Sequence, residues 1–176
     1  MRRLAIILAP ILIVCGLVMH FRGCAWSGND KFQPLPPDRE TTTTNAPSKF
    51  PVAVDPAQVG TYPWAVKSGA GYFYDEVLEY RVWIHPQQGG ARLNEGNVYF
   101  RAFATYENAK QFSEFTKGAE EPLVLIRQLE YVNEPQVGVF EHVTEVRLTE
   151  WKVEWLKNSK RGPTSISDFL AAHKKQ

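Results

Sequence analysis

Cysteine is scarce in this chain, and its scarcity limits the chemistry available to most of the protein. The 176 residues include two cysteines, Cys15 and Cys24, and none follows them. The region after Cys24 therefore has no intramolecular disulfide, zinc-thiolate site or cysteine nucleophile.

An excess of charge of one sign is also missing. The 20 Lys and Arg residues nearly balance the 19 Asp and Glu residues, which leaves a formal net charge of +1. Nucleic-acid-binding domains usually carry a strong basic excess, because they displace counterions from phosphates. We therefore expect no nucleic-acid partner. We also expect no metal site, because His85 and His142 lack a third ligand at a recognisable spacing.

The one long apolar run lies at the N-terminus. Residues 4–21 are uncharged, rich in Leu, Ile, Val and Ala, and preceded by Arg2 and Arg3. A helix of about 18 residues reaches about 27 Å, close to the hydrocarbon thickness of a bilayer. We expect residues 1–26 to form an N-terminal membrane anchor or signal segment, and we favour an uncleaved anchor because bulky residues precede Gly23-Cys24-Ala25.

This anchor predicts the location and the organisation of the rest of the chain. The positive start favours a cytoplasmic N-terminus, so we expect a single-pass protein of the inner (cytoplasmic) membrane with a periplasmic or extracellular C-terminal domain. Residues 27–51 are rich in proline and threonine and predict an extended linker. Residues 52–176 are long enough for one soluble domain.

Hydrophobic patterning within this domain predicts an α+β fold. Strands are expected at 77–85, 98–104, 123–131 and 140–148, with helices at 106–116 and 165–173. The first strand alternates, with Leu78, Tyr80, Val82 and Ile84 on a covered face and Glu79, Arg81, Trp83 and His85 on the other. We expect a four- to five-stranded antiparallel or mixed sheet with helices on one face, preceded by the single transmembrane helix. Residues 150–156 fit a helix or a strand equally well.

Carboxylates on the last predicted strand suggest one enzymatic hypothesis. The alternation places Glu141, Glu145 and Arg147 on the same face. A strand glutamate near an arginine is compatible with a glycosyl- or NAD-directed transferase or hydrolase, because it stabilises a cationic transition state. The alternative is an ordinary exposed sheet face with surface ion pairs.

A second set of candidates lies near strand ends and in loops, where binding sites concentrate. The candidate ligand-binding residues are Trp83, His85, Glu120, Glu121 and Glu134. The tryptophans suggest a surface for a protein or glycan partner, because Trp83 falls on the polar face of its strand and Trp151 and Trp155 flank Lys152 and Glu154. If the C-terminal helix covers that face, Trp83 belongs to the core instead.

Several short motifs carry a family resemblance. They are Val82-Trp83-Ile84-His85-Pro86, Gly118-Ala119-Glu120-Glu121-Pro122-Leu123, Asn133-Glu134-Pro135, the stretch from Thr149 to Leu156, and Ser159-Lys160-Arg161. With these motifs, the chain from Tyr80 onward resembles a family of bacterial proteins often labelled as GNAT-type acetyltransferases. The resemblance implies acetyl-CoA as cofactor and an amine as substrate, and it transfers no site residues.

The acetyltransferase alternative needs a place for the cofactor pyrophosphate. Such enzymes hold it on backbone amides at a glycine-rich turn between a strand and a helix. The nearest candidate is the stretch Gln87–Arg92, which has Arg92 in place of the last glycine and lies between two predicted strands. Without that alternative we expect no cofactor. The sequence favours a membrane-tethered extracytoplasmic domain with a binding or assembly role.

Overall fold

The computed structural model describes residues 48–68 and 71–174. The predicted anchor and most of the predicted linker lie outside these residues. Within the described ranges, no helix is long and apolar enough to cross a membrane.

The described part of the chain is an α+β fold, as predicted. Its strands are β1 (Glu76–Ile84), β2 (Tyr99–Phe103), β3 (Leu123–Gln128), β4 (Tyr131–Gln136), β5 (Val139–Val143) and β6 (Arg147–Lys152), and its helices are α1 (Tyr106–Phe115) and α2 (Ser165–Ala172). The main sheet is antiparallel in the order β2-β1-β3-β6, and β4 and β5 form a separate hairpin. Thr105 caps α1, as expected, because its hydroxyl accepts from the Asn108 amide.

The strand predicted at 140–148 is wrong in its extent. β5 ends at Val143, and residues 144–146 are exposed. The chain then enters β6, which belongs to the main sheet and not to the hairpin. The third predicted strand ends early, at Gln128, and the chain turns into β4. Pro135 fits inside β4 because the pairing shifts register between Asn133 and Gln136, where the ladder does not need its missing amide hydrogen.

Residues 150–156 divide between the two structures that the sequence left open. β6 continues to Lys152, and Val153–Leu156 form a 3-10 helix. The change of geometry buries Trp151 and leaves Trp155 partly exposed, at 2% and 40% of their surfaces.

One face of the main sheet packs on α1 through an apolar core. Ala109 of the helix is fully buried against a cluster that includes Tyr80, Val82, Val124 and Ile126. Helix α2 packs elsewhere, on the β4–β5 hairpin, where the Phe169 ring lies 5.1 Å from the Phe140 ring.

The opposite face is covered by the strap, which we define as residues 51–68. Ala53 and Val59 pack against Trp83 and Phe100, and Ala65 packs against Leu78 and Leu125. The prediction that this face of β1 is exposed to solvent is therefore wrong, since Glu79 and Arg81 have no exposed surface. A bulge between Val77 and Glu79 reverses the alternation locally, so Leu78 faces the strap.

Candidate functional site

A cleft of about 620 Å³, which we call the main cleft, opens at the end of β6. Four parts of the chain form its walls, namely the strap, the start of α1, the loop before β3 and the 3-10 helix. Its lining residues are Lys67, Ser68, Tyr106, Glu120, Glu121, Pro122, Leu123, Glu150, Lys152, Glu154 and Trp155. Two of the predicted candidates, Glu120 and Glu121, are among them.

Backbone hydrogen bonds bring His85 next to the lining residue Glu120 at the rim of the main cleft. The His85 amide donates to the Gly118 carbonyl at 2.8 Å, and the Glu120 amide donates to the Trp83 carbonyl at 2.8 Å. Residues 118–120 thus run alongside the end of β1. Gly118 has a φ of +76°, and a Cβ there would lie 2.5 Å from the Gly90 nitrogen, so this approach requires glycine.

The side chains of Lys67, His85 and Glu120 meet on this rim, and we call them the rim cluster. The Glu120 carboxylate contacts His85 Nε2 at 2.6 Å through Oε1 and Lys67 Nζ at 3.2 Å through Oε2. Partial burial alone would raise the pKa of Glu120, but hydrogen bonds from His85 and Lys67 outweigh it and lower that pKa. The predicted candidates His85 and Glu120 are therefore a contacting pair.

Glu121 lies on the outer wall and is more exposed. Both of its carboxylate oxygens accept from Lys110 Nζ at 2.9 Å. Its side chain keeps 77% of its surface exposed, so it is accessible to a ligand from solvent.

Beneath the main cleft lies a buried charge cluster formed by Glu79, Arg81 and Glu150. The Arg81 guanidinium donates to Glu79 at 2.6 Å and to Glu150 at 2.8 Å. It stacks over the Phe100 ring at 4.3 Å. The Trp83 indole N–H donates to the second oxygen of Glu150 at 3.0 Å.

The strap completes this buried charge cluster with backbone groups. Arg81 Nη2 donates to the Pro63 carbonyl at 2.9 Å and to the Tyr62 carbonyl at 3.3 Å. The Gly60 amide donates to Glu79 at 2.6 Å. Burial raises the pKa of Glu79 despite these favourable contacts. Because Glu150 also lines the main cleft, the buried charge cluster fixes part of the cleft floor.

Trp155 forms the exposed aromatic wall of the main cleft. Its ring lies edge-on to the Trp151 ring at 6.3 Å, and Lys152 Nζ lies 6.0 Å from the Trp155 ring centre. Sequence reasoning missed Lys67 as a site residue, and it placed Trp155 and Lys152 on a partner or glycan surface without assigning them to this cleft. The switch from strand to 3-10 helix that exposes Trp155 is not visible in the residue pattern, which fits both structures.

Two other ligand-binding candidates lie outside the lining of the main cleft. Trp83 is 7% exposed, so of the two alternatives the structure supports the core, although the strap covers it and not the C-terminal helix. Glu134 lies in β4 and accepts from the Gly138 amide at 2.8 Å and from the Tyr72 hydroxyl at 2.5 Å. These hydrogen bonds lower the pKa of Glu134.

The proposed catalytic set of Glu141, Glu145 and Arg147 does not share a strand. Glu141 is exposed on β5, Glu145 is exposed between the sheets, and Arg147 begins β6. Arg147 donates to the Gln128 side chain at 2.8 Å and lies 3.7 Å over the Tyr131 ring. The shared face predicted for these residues is wrong, because the strand that would create it is split.

The glycine-containing stretch 87–92 lies in the loop that connects β1 to β2. A 3-10 helix, Pro86–Gln88, opens this connection, and the chain enters β2 without an intervening α-helix. Across the described residues, no group of three or more His, Cys, Asp or Glu side chains is placed to hold a metal ion.

Comparisons of the chain with protein-family models, with curated proteins and with solved structures found no match. The resemblance to GNAT-labelled proteins therefore stays a prediction. The chemistry of the main cleft is the remaining basis for inferring a function.

Proposed function

We propose that this protein is a binding domain and that the main cleft takes a sugar unit of a glycan. In this proposal the predicted N-terminal anchor tethers the domain on the non-cytoplasmic side of the membrane. The observation that carries the proposal is the exposed Trp155 ring beside carboxylates and lysines in one cleft.

A sugar ring matches this arrangement because it has two kinds of surface. Its C–H groups form an apolar face that packs on an aromatic ring, and its hydroxyls both donate and accept hydrogen bonds. Trp155 supplies the flat apolar surface. Glu121 and Glu154 supply acceptors, and Lys152 supplies donors.

The mixture of charges favours a neutral ligand over an ion. The lining has four glutamates and two lysines, but three of the glutamates are already neutralised by ion pairs with Lys67, Lys110 and Arg81. A site for an anion or a cation generally presents an excess of the opposite sign. Side chains of both signs around one aromatic ring suit a neutral molecule that is rich in hydroxyl groups.

The test compares two exposed tryptophans in the full-length chain. Trp155→Ala removes the platform of the main cleft, and Trp64→Ala removes a tryptophan that is 68% exposed and does not line this cleft. Isothermal titration calorimetry against glucose and N-acetylglucosamine and their oligomers measures the affinity of each variant.

We expect Trp155→Ala to weaken saccharide binding by at least about tenfold, as is common when a central tryptophan is truncated. We expect Trp64→Ala to bind like the wild type. The proposal is overturned if the wild type binds none of these saccharides, or if the two variants bind them equally well. Capture of a protein that depends on Trp155, without saccharide binding, would replace the glycan with a protein partner.

A further inference from the structure

A second cleft of about 510 Å³ adjoins the main cleft. The two clefts share Glu154 and Trp155, and the rest of their linings differ. Trp155 therefore contributes to both clefts, and a ligand longer than one unit on this ring has a second place to extend.

The second cleft is lined by a tryptophan with an unpaired polar group. Trp151 is 2% exposed, and its indole nitrogen is buried without a hydrogen-bond partner among the residues that the structure describes. Buried indole N–H groups usually have an acceptor, because leaving a donor unpaired costs about 1–3 kcal/mol. This nitrogen has no accessible surface, so Trp151 offers the second cleft a ring edge and no donor within reach of a ligand.

The turn after the 3-10 helix adds polar groups that are held in place. The Lys157 amide donates to the Glu154 carbonyl, and the Ser159 amide donates to the Leu156 carbonyl, each at 3.3 Å. Asn158 between them has a φ of +61°, a left-handed conformation that Asn tolerates better than most residues. Its exposed side-chain amide lines the second cleft and offers both a donor and an acceptor.

We infer that the site takes an oligosaccharide, with one sugar unit in the main cleft and the next in the second cleft. This inference rests on the proposed function and deepens it. Hydroxyls of the second unit bond to the side chains of Asn158 and Lys157, which line the second cleft. Repeating polar units on both sides of one aromatic ring fit this arrangement.

The test measures how affinity depends on chain length. Calorimetry on the full-length chain compares the mono-, di-, tri- and tetrasaccharide of whichever probe series binds, for the wild type and Asn158→Gly. Glycine keeps the left-handed backbone without the amide, and a melting curve checks that this variant folds.

We expect the wild type to bind the disaccharide at least about tenfold more tightly than the monosaccharide. We expect Asn158→Gly to lose several-fold in disaccharide affinity while its monosaccharide affinity is unchanged. Equal affinity for all lengths in the wild type overturns this inference but leaves the proposed function standing. An equal loss for all lengths in Asn158→Gly, which lies on the surface, also overturns it. Absence of binding at every length overturns the proposed function itself.

Discussion

The two clusters of charged residues on the strap side of this fold have similar chemistry and opposite surroundings. In the buried charge cluster, the side chains of Glu79 and Arg81 have no exposed surface. In the rim cluster, the side chains of His85, Glu120 and Lys67 are 22%, 36% and 55% exposed. Ion pairs of the same kind therefore lie in different environments, because only one cluster is cut off from water.

The difference in solvent access separates stability from binding. A buried ion pair holds its geometry because removing one partner leaves an unpaired charge in a medium of low dielectric constant. An exposed ion pair contributes about 0–1 kcal/mol and its members exchange partners readily. The buried charge cluster is thus suited to fixing the cleft floor, and the rim cluster is suited to contacting a ligand.

The largest expected effect comes from removing the central cation of the buried charge cluster. Arg81→Met leaves two carboxylates without their shared partner, and we expect the free energy of unfolding to fall by about 3–5 kcal/mol. Lys67→Met likewise replaces a cation of the rim cluster with methionine, and it should lower the free energy of unfolding by no more than about 1 kcal/mol. Urea unfolding of both variants measures the two losses. Similar losses would contradict the distinction between the clusters.

The sequence predicted the sheet better than it predicted what covers it. Hydrophobic patterning located β1, β2 and β3, although it extended β3 beyond its end at Gln128, and Thr105 correctly marked the start of α1. Glu79 and Arg81 looked like a solvent face because polar side chains usually face water. They are buried because the strap, which has no regular period, supplies the hydrogen bonds that they need.

The candidate site was predictable only in part, for a related reason. The three predicted residues that the structure brings to the cleft or its rim lie just after a strand or in a loop, where polar groups often bind ligands. They are His85, Glu120 and Glu121. Lys67 and Trp155 are 88 positions apart in the chain, and the parallel bridge between Lys67 and Glu150 brings the strap to β6. Long-range contacts of this kind leave no local pattern in the sequence.

The second-largest expected effect is a loss of stability at Gly118, and it tests whether the close backbone approach there positions the rim cluster. Gly118 and Gly96 both have positive φ values, of +76° and +84°, but a Cβ meets backbone atoms only at Gly118. We expect Gly96→Ala to cost about 1–2 kcal/mol from backbone strain alone. Gly118→Ala should cost about 3 kcal/mol, because overpacking is added to the strain.

The two glycine variants also differ in their expected effect on the rim cluster. Gly118→Ala should move the NMR signals of the His85 ring, since the Gly118 carbonyl holds the His85 amide. Gly96→Ala should leave those signals in place. Equal stability losses, or an unchanged His85 ring in Gly118→Ala, would show that the close backbone approach does not position the rim.

The smallest effect is a difference in pH dependence between Glu79 and Glu120. The pKa of Glu120 is lowered from 4.5 in the folded protein, so its stabilisation is present above about pH 4.5 and is lost as the pH falls further. The pKa of Glu79 is raised from 4.5, so the folded state binds a proton first and gains stability as the pH falls toward 4.5. The two carboxylates should therefore respond to acid with opposite signs and in different pH ranges.

Urea unfolding of the wild type, Glu79→Gln and Glu120→Gln at about pH 7, 4.5 and 3 separates the two contributions. Between pH 7 and 4.5 we expect the wild type to gain stability relative to Glu79→Gln, because only the wild type takes up the proton. Below pH 4.5 we expect the wild type to lose stability relative to Glu120→Gln. If both differences change in the same direction, the contrast between the buried and the exposed carboxylate is wrong. Both glutamates contact a basic side chain, so an ion pair alone does not distinguish them. Opposite changes in stability would therefore show that burial decides the sign of the pH dependence.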